Sequence, residues 1–89
     1  MPRYFFNIVD HGRENDEEGM NLLDAAAARV AGISYAGAVL HNEPYLVDGG
    51  EGLCVEVIDD VGQLICKIVM CVVDTPGMTM AKVRGQSHA

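Results

Sequence analysis

Apolar and polar positions divide the chain into four patterned blocks separated by turn-rich stretches. Residues 3–9, RYFFNIV, are aromatic and β-branched and predict a first strand, with Tyr4, Phe6 and Ile8 on one face and Phe5, Asn7 and Val9 on the other. Residues 10–19 are polar loop. Met20, Leu22 and Leu23 then restore apolar character, with room for a short extra strand near residues 20–23. Asp24 is placed as an N-cap before the Ala-rich run of residues 25–41. There, Ala26, Val30, Ile33, Gly37 and Leu40 recur at helical spacing and predict the buried stripe. Gly32 and Gly37 weaken such a helix, which points to close backbone approach by a neighbour.

Pro44 and Gly49-Gly50 mark residues 42–52 as a connector, with Tyr45, Leu46 and Val47 turned back over the core edge. Residues 53–59, LCVEVID, and 64–73, LICKIVMCVV, predict a second and a third strand. Asp60-Val61-Gly62 between them suits a three-residue hairpin with the glycine left-handed. That register pairs Asp59 with Gln63, Val57 with Ile65 and Val55 with Lys67. It sorts Leu53, Val55, Val57, Ile65, Val69 and Cys71 to one face of the sheet. Cys54, Glu56, Ile58, Leu64, Cys66, Ile68 and Met70 go to the other. The expectation is an α+β fold: a two-layer β-α-β-β domain over residues 1–74, its three-stranded sheet covered on one side by one helix. Residues 75–89 lose all periodicity and read as a flexible tail.

Size and charge narrow the function classes. Eighty-nine residues make one domain, of a size that often stabilises itself by oligomerising. The net charge of −7 disfavours nucleic acid and anionic membrane surfaces. It is uneven: residues 1–74 hold all 13 acids, whereas residues 75–89 hold only Lys82 and Arg84 as charged groups. No span of about 20 apolar residues and no leader is visible. Three cysteines without a C-x-x-C pair suggest neither a disulfide framework nor a zinc site, and favour a reducing, cytoplasmic compartment.

The acidic loop is the obvious candidate for chemistry. Counted from Glu14, an EF-hand pattern is matched by Asp16, Glu18 and Gly19, but the twelfth position is Ala25. Counted from Asp10, Asn15 falls where Gly is required. A looser cation site from Asp10, Asp16, Glu17 and Glu18 stays open, against turn chemistry facing the helix N-terminus. His11 among these acids is conceivable as a base, whereas His41 suits the last helical turn and His88 lies in the tail. Cys54 and Cys66 fall on one face as diagonal neighbours about 7 Å apart, too far for easy bridging. No phosphate loop or nucleophile elbow is present, and no cofactor is implied.

Several blocks together resemble a known family. They are the opening MPRYFF, the Asp10-His11-Gly12 turn, Asp16-Glu17-Glu18-Gly19, the Ala-rich helix and VEVIDDVGQ at 55–63. The likeness, over residues 1 to about 72, is to small bacterial proteins known only as a domain of unknown function. It implies a cytoplasmic single-domain β-α-β-β protein and supplies no activity. The connector is longer than the family pattern, and the tail has no counterpart in it.

Three functions remain. The first is a non-enzymatic self-associating module, a homodimer through Ile58, Leu64, Ile68 and Met70 on the face the helix leaves bare, with Glu56 paired to a cation such as Arg3. A divalent-cation-binding regulator using the loop at 10–18 is the alternative. A small enzyme using His11 is the third.

Overall fold

The computed structural model describes residues 1–9, 12–48, 52–75 and 77. Its strands are β1 (Arg3–Val9), β2 (Arg13–Glu14), β3 (Met20–Asn21), β4 (Leu53–Asp59) and β5 (Leu64–Met70), and its helices are α1 (Ala25–Asn42) and α2 (Tyr45–Asp48). The fold is α+β, an antiparallel sheet under one main helix. The sheet is wider than the expected three strands. Its order is β2-β1-β4-β5, with β3 also on β1. β2 and β3 share the outer edge of β1, so Ile8 pairs with Glu14 and Tyr4 with Met20.

α1 starts at its expected N-cap: the Asp24 carboxylate accepts from Ala27 N at 2.9 Å. Its buried stripe is Ala28, Gly32, Ala36 and Val39, not the expected Ala26, Val30, Ile33, Gly37 and Leu40. The helix is apolar nearly all round, so hydrophobicity alone cannot choose the inward face. Side-chain size chooses it. A Cβ on Gly32 would lie 2.7 Å from Val57 Cγ2 and 3.0 Å from Ile68 Cδ1, so the backbone rests directly on the sheet. Gly37 has open space instead and does not serve close approach to the sheet. Val30 and Ile33 consequently face outward, 66% and 55% exposed.

The β4–β5 hairpin turns where expected. Gly62 has φ +87°, its N–H donates to Asp59 O, and Asp59 N donates to Gln63 O. Ile58 then pairs with Leu64, but the next pair is Val57 with Cys66. Ile65 is an extra residue, a β-bulge, and everything after it changes face. Val55 therefore pairs with Ile68, and Glu56 with Lys67. The core consists of Tyr4, Phe6, Val55 and Val57 against Ala28 and Ala36, with Cys66, Ile68 and Met70 packed around it. The placement of those last three on the bare face is corrected, as is that of Val69 on the covered one: Val69 is 66% exposed.

β5 ends at Met70 rather than 73, and residues 71–75 are exposed without regular structure. The connector holds one short helix the sequence reading lacked, α2, which buries Val47 while Tyr45 stays exposed. Most of the expected tail, residues 76 and 78–89, lies outside the described residues.

Candidate functional site

The acidic loop is built into the sheet edge. Between the pairs Ile8–Glu14 and Tyr4–Met20, β1 contributes three residues and the opposite segment five. That segment cannot run as an unbroken ladder, and the Asp16 side chain takes the place of a strand carbonyl. Its Oδ2 accepts from Phe6 N at 3.2 Å, and its Oδ1 accepts from Glu18 N at 3.0 Å and Gly19 N at 3.1 Å. In return Asp16 N donates to Asn7 Oδ1 at 2.9 Å. Asn7, 4% exposed, is the buried polar residue among the described residues. Burial raises the Asp16 carboxyl pKa. The Gly19, Glu18 and Phe6 N–H groups and the Arg3 charge outweigh that, and the net shift is downward. Gly19 closes the loop at φ +73°, where a Cβ would lie 2.8 Å from Phe5 Cε2 and 2.9 Å from Tyr4 O.

On the helix side, this loop and Tyr35 enclose an open cleft of about 520 Å³ lined by Phe6, Glu14, Glu17, Glu18 and Met20. The Phe6 and Tyr35 rings stand 6.1 Å apart, tilted by 48°. Burial, then the charges of Glu14, Asp16 and Glu43, raises the Tyr35 phenol pKa.

Of the expected cation ligands, the described ones, Asp16, Glu17 and Glu18, do not converge. Asp16 spends both oxygens on backbone N–H groups, Glu17 and Glu18 are exposed, and Asp10 lies outside the described residues. Among the described residues no three His, Cys, Asp or Glu side chains converge on a metal position. Millimolar calcium should therefore leave the melting temperature essentially unchanged in a thermal scan. A filled site at a hundredfold excess of ligand would add roughly 2.7 kcal/mol. That would appear as a rise of roughly 10–20 °C in a domain this small, and such a rise would restore the cation reading.

His11 and His88 also lie outside the described residues, and His41 is exposed in the last turn of α1. Cys54 and Cys66, expected on one face, are on opposite faces because of the bulge. Cys54, Cys66 and Cys71 are all free thiols.

The outer sheet face, opposite α1, consists of three rows of paired residues: Phe5–Ile58–Leu64, Asn7–Glu56–Lys67 and Val9–Cys54–Val69. The middle row is polar between two apolar ones. Glu56 is held by Arg13, whose guanidinium also donates to Asn15, and its other oxygen lies 3.9 Å from Lys67 Nζ. Arg3, the cation expected for Glu56, instead donates to Asn21 Oδ1. Of the expected interface residues, only Ile58 and Leu64 share this outer face, while Ile68 and Met70 point under α1.

The sequence reading missed Asn7, Arg13 and Tyr35. Only Asn7 gave a local signal, an amide inside an otherwise apolar strand.

No curated protein and no solved structure matches the chain. A family model described as "Domain of unknown function (DUF6894)" matches residues 3–71, and the chain belongs to that family.

Proposed function

We propose that this is a small cytoplasmic, non-enzymatic interaction module that works as a homo-oligomer. One observation carries the reading: a domain with so small a core leaves large apolar side chains bare on two sides. Val30 and Ile33 are bare on α1, and Leu64 and Val69 on the outer face. The polar groups nearest to a site are already engaged in structure, Asp16 and Asn7 with the backbone and Glu56 with two cations. Three free thiols suit a reducing compartment. Among the described residues no helix is long and apolar enough to cross a membrane. Light scattering on the purified chain tests the reading. A dimer mass at micromolar concentration is expected, and a well-behaved monomer up to hundreds of micromolar would overturn it.

A further inference from the structure

β5 closes the sheet, and among the described residues no strand pairs with its outer side. About every second N–H and C=O of such an edge points away from its neighbour and wants a partner. Natural edges are usually short, proline-bearing or charged. β5 is seven residues long, lacks proline and carries a single charge, Lys67.

The helix above it completes a surface. Tyr35 leans over β1 to reach Phe6, while the Cβ position of Gly32 lies nearest Val57 of β4 and Ile68 of β5, with Phe6 of β1 farther off at 3.6 Å. At about 100° per residue, Ala26, Ile33 and Gly37 then fall on the opposite flank, above the β5 edge. This flank is exposed, and a Cβ at Gly37 would meet nothing within 4 Å. Charge singles out the same side. Neither residues 25–42 nor residues 64–73 contain an acid, although the chain holds 13. Two copies carrying −7 each keep their acids apart where these sides meet, and the like charges left there are Arg29 and Lys67 of each copy, which the register has to space.

We infer that a second copy of this chain pairs edge to edge with β5 about a two-fold axis, giving one continuous sheet with the two α1 helices side by side. The inference names the surface behind the self-association proposed above and rests on that reading. The dimensions agree. Strands lie about 4.8 Å apart. A helix over the gap between β4 and β5 is therefore roughly 5 Å from the axis, and two such helices are roughly 10 Å apart. Packed helices stand about 8–10 Å apart, and small residues such as Ala26 and Gly37 permit the close end of that range. A register centred on Lys67 would oppose like charges. One centred on Ile68 sets Lys67 beside Val69 of the partner subunit and Cys66 beside Met70 of the partner subunit.

The test combines light scattering with hydrogen exchange on the full chain. The unmutated protein should be a dimer whose β5 amides lose protection on dilution. Ile33→Glu and, separately, Gly37→Glu should each weaken the dimer by about a hundredfold or more while circular dichroism stays native. Both positions are exposed, and Gly37→Glu improves intrinsic helix propensity, so unfolding would not mimic the result. A dimer that survives both substitutions overturns the inference. If Leu64→Glu on the outer face breaks that dimer, the self-association reading stands on another surface. A monomeric unmutated chain overturns both, and β5 amides protected in that monomer would show the edge covered by the chain's own C-terminal residues.

Discussion

Replacing Ile68 with Asp unfolds the domain instead of releasing monomers. The Ile68 side chain packs against the α1 backbone at Gly32, where its Cδ1 lies 3.0 Å from the position a Cβ would take, and belongs to the layer around Phe6 and Val57. Losing such a side chain costs about 2–5 kcal/mol, and a carboxylate in its place adds a desolvation penalty of about the same order. An 89-residue domain has a total margin of roughly 4–13 kcal/mol. Val61→Asp at the hairpin tip, where the side chain is 82% exposed, should leave the protein folded. Far-ultraviolet circular dichroism and amide dispersion in a proton spectrum distinguish the two variants. A folded, monomeric Ile68→Asp protein would mean that Ile68 faces outward and that the bulge at Ile65 is wrong.

Asp16→Asn weakens the fold by about 1–3 kcal/mol, because a charge-assisted acceptor of three backbone N–H groups becomes a neutral one with a single oxygen. The pH dependence identifies the cause. The folded-state pKa of Asp16 lies below its ordinary value of 3.8. Its contribution is therefore complete above 3.8 and is lost as pH falls through the lower folded value. Urea unfolding of the two proteins should show a gap that is constant near neutrality and closes in acid below 3.8. A gap that persists unchanged at the acid end would show that shape, not ionisation, makes Asp16 matter.

Much of this fold is legible in the sequence for local reasons. The Asp24 cap, the length of α1, the strand run from Arg3 to Val9 and the Gly62 turn each follow from neighbours within a few residues. What the sequence hides is long-range. The inward face of α1 is selected by how near the sheet comes at Gly32, a distance no helical wheel contains. The face of β5 depends on one extra residue in a strand whose other residues are apolar on both sides, so Lys67 is its one polar mark of the slip. β3 falls within the stretch expected for a short extra strand, whereas β2 is two residues long and owes its pairing to β1, not to strand propensity of its own. The acidic loop was visible as a cluster. That Asp16 substitutes for a missing strand carbonyl depends on five residues facing three, which only the register of both flanking pairs reveals.

The bulge at Ile65 gives Lys67 a task beyond its charge. Without the bulge the hairpin would pair Lys67 with Val55, and an ammonium would be driven under the helix. With it, Lys67 stands opposite Glu56 in the open. Nearly every other residue of β5 is apolar and would tolerate either alignment. Lys67 thus acts as the strand's proofreading mark, the one side chain that makes the misaligned hairpin energetically distinct. A hydrophobic replacement there would look harmless in the folded state, yet it would leave the chain with two competing alignments and a slower, more heterogeneous route to the native one.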